Sequence, residues 1–417
     1  MKELKNCIVC GDNKLSEIFN FGSIYPSAFI SDLKETAKFT KDPLVVNMCK
    51  CGMCQLKYVY EYDSLFKDYY YRSSVNKQMV AALQDIVDSE QILNQIQYAL
   101  DERRTPIWVE IANNDGCMSR LAKKSYDVFM VGVDPALNLG NSGNDVFIND
   151  YFRAESVLKA TSGDKADIVT CIACFYDLQD PHTFLKDVCK IMSDDGVFII
   201  QLNDLWGKLV LNTLDDACQE HVAYYSLEVL DKLFKMNGLE IFDFEYNYVN
   251  GSSLRVYAGK TGKFSVRPHV SHEITAQKKF LTQHRLMWWF LEVTQYITNF
   301  KNYLTAQKAL GKKIAIGGAS TKGNTILQYS GLNNKVVDFA LEVSPFKFGK
   351  YCLGSDIEIV DEKLALKVSP PDIICVMVWH FKESFLKIYK EFIENGGTVV
   401  FVFPYPHKVT KDGESLL

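Results

Sequence analysis

Three stretches hold residues whose types and spacing can do chemistry. The first, Ala112-Asn113-Asn114-Asp115-Gly116, is a polar turn between two short apolar runs, Ile107 to Ile111 and Phe129 to Val133, the second ending in Asp134. The second, Cys218-Gln219-Glu220-His221, sets a carboxylate beside a histidine. Histidine titrates near neutrality, so in a cleft it can act as general base, and a nearby carboxylate can orient and polarise it. The third is the set Cys7, Cys10, Cys49, Cys51 and Cys54. Cys7-Ile8-Val9-Cys10-Gly11 has the form of a zinc knuckle, and tetrahedral zinc takes four ligands. Five cysteines are on offer. Cys51 and Cys54 have the usual two-residue spacing, whereas Cys49 and Cys51 place Gly52 after the second cysteine, as Gly11 follows Cys10, and the sequence does not choose between Cys49 and Cys54. Four thiolates leave no open position, so this zinc is expected to be structural.

Charge separates the cofactors that the first turn could take. A dinucleotide needs several glycines, because its pyrophosphate must approach bare backbone and a helix N-terminus. This turn has one glycine, and Glu110 and Asp115 would repel a phosphate. They suit a ligand with an ammonium and a sulfonium, S-adenosylmethionine. Glu110, Ala112, Asn114 and Asp115 are the candidate contacts of the turn, and Asp134 is placed to accept from the ribose hydroxyls. Asp150 and Tyr151 follow a third apolar run and could pass the adenine, and Ala173 closes a fourth.

Those residues need a frame. Strands at 107–111, 129–133, 146–152, 166–172 and 197–202 alternate with helical stretches, which implies a parallel, doubly wound, Rossmann-like sheet over residues 76–265. Ligands bind such sheets at the carboxyl ends of the strands, where the first turn and the His221 stretch would both lie. Residues 1–75 form a small zinc-binding domain, and 266–417 a second α/β domain with strands at 336–341, 373–378 and 398–402. A helical stretch over 275–310 carries the aromatic stripe Trp288, Trp289, Phe290 and Tyr296 and is expected to pack between domains. The turn Gly317-Gly318-Ala319-Ser320-Thr321-Lys322-Gly323-Asn324 has glycines, a lysine and no acid, which suits a phosphate. Arg255, after a polar turn, is a candidate anion contact, and His380 and Tyr405 sit at strand ends.

At 417 residues the chain fits two or three domains of about 100–200 residues each. A net charge of −5 points to no nucleic-acid or bilayer partner. No apolar run reaches the roughly 18 residues of a membrane span, and the N-terminus does not read as a signal peptide, so a cytoplasmic enzyme is expected. Five of the twelve cysteines fall in the first 54 residues, which in a reducing compartment reads as metal binding. Three consecutive tyrosines, Tyr69 to Tyr71, cannot share one face, so at least one phenol should face a cleft or solvent.

Taken in order, the cysteine module with Gln55-Leu56, YYYRSS, EIANNDG, FYDLQDP, CQEHVAYYS, VNGSSLRVY, GASTKGNT, VWHF and GGTVVFVFPYP resemble the sugar C-methyltransferases of nucleotide-linked keto-deoxysugars over nearly the whole chain. The resemblance implies an N-terminal zinc domain, a central S-adenosylmethionine domain and a C-terminal α/β domain that helps hold a nucleotide sugar. It implies methylation at C3 beside a 4-keto group through an enolate. His221 takes the place of the family's base, Glu220 of its partner and Tyr71 of an active-site phenol. Lys322 and Asn324, with Arg255, would contact the diphosphate or sugar, and His380 and Tyr405 lie in matching segments. The chain departs from the family's common His-Glu-His pattern, sometimes preceded by tyrosine: Cys218 and Gln219 stand where the tyrosine and first histidine would be. Ala112 replaces a common glycine. O-methylation, another keto sugar, or a silent sugar-nucleotide-binding protein are the competing readings, and the sequence does not set the oligomeric state.

Overall fold

The computed structural model describes every residue except Asp68, Tyr70, Gly140, Asn141 and Asp215, and the side chain of Ser64. Tyr70, the middle of the three tyrosines, and Asp215, at the head of the His221 stretch, therefore lie outside the described residues.

The strand Ile107–Ile111 is apolar at every position but Glu110, and it is buried from Trp108 to Ile111. A strand covered on both faces belongs in the middle of a parallel sheet. Phe129–Val133 and Val146–Ile148 lie on one side of it, and Ala166–Ile172 and Met192–Leu202 on the other, all parallel. The strand order reverses between Ile107–Ile111 and Ala166–Ile172, which opens a crevice at their carboxyl ends. The sheet is not parallel throughout. Ser253–Lys260 and Leu239–Asn247 add an antiparallel pair at one edge. They are joined by the short turn Val249–Gly251, and only antiparallel strands can be joined so tightly.

The C-terminal sheet repeats the theme with five parallel strands in the order Thr398–Phe401, Ile373–Val376, Ile314–Gly317, Phe339–Glu342 and Ile357–Asp361. Ile357–Asp361 was not anticipated from the sequence, although its Ile-Glu-Ile-Val alternation is a strand signal. The three sequence blocks also exchange strands. Phe29–Ile30 pairs with Tyr351–Cys352 in the C-terminal sheet, and Ala223–Tyr224 pairs with Cys54–Leu56 in the cysteine-bearing sheet. Each two-residue strand satisfies the free backbone edge of a neighbouring sheet, which a linear division of the chain cannot express.

The helical stretch after residue 265 is two helices, Pro268–Phe280 and Gln283–Ala309, broken where Thr282 caps the second by accepting from the Arg285 N–H. The second buries Leu286, Trp289, Val293, Ile297, Phe300 and Leu304, one residue every three or four. Trp289 and Phe290 pack on Phe19 of the cysteine-bearing sheet, with ring centroids 5.4 and 5.0 Å apart. Trp288, on the opposite face, is 61% exposed. No helix among the described residues is long and apolar enough to cross a membrane.

Candidate active site

The turn after Ile107–Ile111 is held in left-handed backbone at Ala112 (φ 58°), Asn114 (φ 54°) and Gly116 (φ 72°). Such strain persists in residues with a Cβ only where the surroundings impose it. Here they do so through hydrogen bonds. The Asn114 N–H donates to Asp134 Oδ2 at 2.8 Å, and Asp134 Oδ1 accepts from the Ala136 N–H at 2.9 Å. Asn113 Nδ2 and Ser119 Oγ donate to Glu110 Oε2, both at 2.5 Å. Burial pushes the Glu110 carboxyl up to about 7. Glu110 is thus 5% exposed and braces the turn from within, half-neutral near pH 7, so less negative charge stands against a phosphate than the sequence suggested.

The segment Tyr71 to Asn76 lies across this turn. Ser73 N–H donates to Asn114 Oδ1 at 3.0 Å, Asn114 Nδ2 donates to the Tyr71 carbonyl at 3.1 Å, and the Ser74 hydroxyl donates to Asp115 Oδ2. The Tyr71 phenol bonds Asn76 and lies near Asp115 and Cys117, and burial pushes it up to about 12. Tyr71 is therefore placed at the cofactor turn, and none of these partners belongs to the His221 stretch. Asp115 Oδ1 is buried with no partner among the described residues. Asp150 and Tyr151 follow Val146–Ile148, with the Tyr151 hydroxyl donating to Asp63 Oδ1 at 2.9 Å. Ala173 holds a left-handed φ of 55° at the end of Ala166–Ile172. A crevice with an acid at the ribose position and an orphaned carboxylate oxygen fits a cationic ligand.

His221 lies past the carboxyl end of Met192–Leu202, on a loop whose two sides are joined by the Leu205 N–H donating to the Tyr225 carbonyl at 2.7 Å. Its Nδ1 is 2.7 Å from the Asp216 carbonyl. A carbonyl only accepts, so Nδ1 carries the proton and Nε2 presents a lone pair. Nε2 has no hydrogen-bond partner among the described residues. The ring stands edge-on to Tyr176, with centroids 4.5 Å apart. Burial, with Lys208 and Lys322 nearby, pulls the imidazole down to about 4 against the opposing pull of Asp216. His221 is thus neutral through the physiological range. Glu220 is pushed up to about 7 by burial. Asp177 is raised for the same reason and by the nearby Cys174 and Glu220, and its Oδ1 is an orphan among the described residues.

The glycine turn comes to the same place from the C-terminal sheet. Its helix, Thr321–Ser330, starts with Ser320 accepting from the Gly323 N–H. Lys322 Nζ donates to the Asn250 carbonyl at 3.1 Å and acts electrostatically on His221, Asp216 and His380. Asn324 is 1% exposed, and neither of its amide atoms has a partner among the described residues. His380 Nδ1 is likewise orphaned. Gln219 Nε2 reaches the Ile24 and Tyr25 carbonyls at 3.4 and 3.5 Å, and Tyr25 also bonds Gln328 of the Thr321–Ser330 helix. Lys322 thus comes up to His221 and to His380, and Asn324 follows it on the same helix. Arg255 does not: it is 2% exposed within its strand, bonded to Gln201, Glu245 and Asp85, so its charge is already matched inside the central domain. Tyr405 turns to Glu414 of the C-terminal hairpin at 3.0 Å and is largely exposed, so it is not brought to this group.

In the cysteine-bearing sheet the sulfurs of Cys7, Cys10, Cys49 and Cys51 all lie within 4.8 Å of one another. Cys7 and Cys51 are 3.6 Å apart and Cys10 and Cys49 3.5 Å, close to the roughly 3.8 Å edge of a tetrahedron with 2.3 Å zinc–sulfur bonds. The N–H groups of Val9 and Cys10 both point at Cys7 Sγ at 3.5 Å. Cys54 is excluded from the cluster. It opens the strand Cys54–Leu56 and is wholly buried in the hydrophobic core beside Val222 and Tyr224.

Two family models match this chain, a methyltransferase domain over residues 85–243 and a C-methyltransferase C-terminal domain over 248–404. The C-methyltransferase NovU of Streptomyces niveus is 28% identical over 422 residues, which cover 99% of this chain and 98% of that protein. The chain is thus similar to C-methyltransferases over nearly its whole length. Among solved structures, the mitomycin 7-O-methyltransferase MmcR is 11% identical (TM-score 0.31, 45% of this chain, 56% of that one). The magnesium protoporphyrin IX methyltransferase ChlM from Synechocystis PCC 6803 with bound SAH is 14% identical (TM-score 0.30, 46% and 91%). At such TM-scores the overlap is too slight to bear on function.

The protein is accordingly an S-adenosylmethionine-dependent C-methyltransferase, and the turn at Ala112–Gly116 is the candidate place for its cofactor. Gly116 tests that placement. A Cβ there would stand 1.9 Å from the Ser142 carbonyl oxygen. Gly116→Ala must push backbone apart at a left-handed position, at about 1–3 kcal/mol, and is expected to weaken S-adenosylhomocysteine binding about ten- to hundredfold by titration calorimetry. Unchanged affinity would place the cofactor elsewhere. Sequence reasoning missed three residues at the base: Lys208, Asp216 and Tyr176. Tyr176 was within reach, since it sits in the loop after the strand Ala166–Ile172, at the sheet's carboxyl edge.

Proposed function

We propose that this C-methyltransferase acts on a keto-deoxysugar carried by a nucleoside diphosphate and methylates C3 beside a 4-keto group. The observation that carries the reading is the His221 tautomer, whose unprotonated Nε2 has no hydrogen-bond partner among the described residues, with Lys322 acting on both His221 and His380. Buried polar atoms without partners are unfavourable unless a ligand satisfies them. The amide of Asn324 and the imidazole of His380 suit sugar or base hydrogen-bonding groups, and Lys322 with the start of its helix suits a diphosphate.

A ketone acidifies the adjacent C–H. His221 Nε2 takes the C3 proton, and the resulting imidazolium keeps its Nδ1–H on the Asp216 carbonyl, with Asp216 Oδ2 3.8 Å away. Glu220, protonated in part near pH 7, can donate a hydrogen bond to the developing enolate oxygen. Bound S-adenosylmethionine supplies the methyl group that C3 acquires. His221 then returns its proton to solvent. Zinc on Cys7, Cys10, Cys49 and Cys51 would hold the N-terminal module together and take no part in proton transfer.

Incubation with methyl-labelled cofactor and nucleotide-linked 4-keto-deoxysugars is expected to put label on C3, located by NMR. Label on oxygen, or no product from any such sugar, would overturn the proposal.

A further inference from the structure

The loop that carries His221 is crossed by an ion pair whose lysine takes no part in the proton transfer itself. Lys208, from the helix Leu205–Val210, is 4% exposed and bonds Asp216 Oδ2, itself 3% exposed. Asn203 Nδ2 supports the same oxygen at 3.4 Å. The helix is fixed at its start by Asp204 accepting from the Gly207 N–H at 3.0 Å, and the Lys208 carbonyl accepts from the Thr213 N–H at 3.0 Å. Asp216 meets His221 twice: its carbonyl takes the Nδ1 proton at 2.7 Å, and Oδ2 stands 3.8 Å from Nδ1.

A buried ion pair is a poor way to add stability, because apolar residues of similar size often do as well or better. What this pair does is local. The lysine fixes where Asp216 sits, which fixes the carbonyl that sets the His221 tautomer, and it leaves a carboxylate beside a ring that becomes cationic. We infer that Lys208 and Asp216 are positioning residues for His221, holding Nε2 unprotonated before proton transfer and balancing the imidazolium after it. The inference rests on the reading of His221 as the base.

The charges around the ring give it a sign. Asp216 acts on it from its own loop, Lys208 from its helix and Lys322 from the glycine turn, and Tyr176 stands edge-on to it. Cys218, Glu220 and Asp177 lie around this group, Cys218 accepting from the His221 backbone N–H and acting on Tyr176, and Glu220 acting on Cys218 and Asp177. Lys208 disfavours the imidazolium and Asp216 favours it. Losing the lysine charge alone must raise the acid limb of the kcat–pH profile, and losing the carboxylate alone must lower it. A merely structural pair would move neither.

The test is kcat against pH, with S-adenosylhomocysteine affinity by calorimetry as control, for Lys208→Met, Asp216→Asn, Lys208→Arg and the double variant K208M/D216N. The limb should move up by about one unit in Lys208→Met, move down in Asp216→Asn, and stay in place in Lys208→Arg, which keeps the charge. Should either single variant fail to fold, the double variant, which leaves no buried charge unpaired, should fold, bind S-adenosylhomocysteine normally and lose about tenfold or more in kcat. A folded double variant with wild-type kcat and wild-type limb, or single variants whose limbs move together, overturns the inference. His221→Asn separates the two readings. If it stays active the base assignment falls, and if it is dead while the double variant is unimpaired only the role of the pair falls.

Discussion

His221→Ala is expected to lower turnover by about 10²–10⁴-fold, the usual worth of a positioned general base, while S-adenosylhomocysteine binds as before. The candidate cofactor turn is braced by Asp134, Glu110, Ser119 and the segment Tyr71–Asn76, and no hydrogen bond among the described residues joins these to the His221 ring. Calorimetry and single-turnover kinetics on the same preparation separate binding from chemistry, and a fully active variant would remove His221 as base. The pH dependence has a definite sign. Burial holds the folded imidazole down to about 4, so Nε2 stays available throughout the neutral range and the acid limb of kcat should fall well below pH 6. Stability follows the same group. Above about 6.5 the imidazole is neutral in both folded and unfolded chains. Below that the unfolded chain binds a proton that the folded one refuses until about pH 4, so stability is lost across that window.

What could be read in the sequence was local. The cofactor turn follows from a strand, a small-residue turn and a helix in succession, and Ile107–Ile111, Cys117–Ser125 and Phe129–Val133 form in that order. The Glu220-His221 stretch stood out because two chemical residue types are adjacent. Arg255 misled because its local signal, a polar turn before a strand, says nothing of the partners that neutralise it: Asp85 lies 170 residues away and Glu245 on the adjoining strand. Lys208 and Asp216 carried no signal, since neither a lysine in a short helix nor an aspartate in a loop announces that the fold will bury both. The two-residue strands Phe29–Ile30 and Ala223–Tyr224 were illegible for a related reason. They exist only because a neighbouring sheet has an open edge.

Removing the metal is expected to have the other large effect, and it should reach the base. Asp42–Cys49 and Cys54–Leu56 are adjacent antiparallel strands, so the loop between them lifts Cys49 and Cys51 to the cluster while Cys54 points into the core. Cys54–Leu56 then pairs with Ala223–Tyr224, two residues past His221, and the Leu56 N–H donates to the Val222 carbonyl at 2.8 Å. Gln55 binds this seam to the knuckle, accepting from the Ile8 N–H at 2.9 Å and donating to the Asn6 carbonyl at 3.0 Å. Lys232 Nζ holds the Cys51 carbonyl at 2.8 Å from the helix Leu227–Met236. Structural zinc contributes about 10–16 kcal/mol in small modules, so without it the four sulfurs, and the strand edge that sets His221, should loosen together. Metal analysis of the purified protein should find stoichiometric zinc, and Cys49→Ser should lose it along with turnover and several degrees of Tm. Cys54→Ser should keep its zinc, since its hydroxyl would face the Gly52 carbonyl as the thiol does, and should lose no more than about 1–3 kcal/mol for burying a hydroxyl. Zinc retained in Cys49→Ser but lost in Cys54→Ser would reverse the ligand assignment. A metal-free Cys49→Ser with normal turnover would mean that the cysteine module does not hold the base in place.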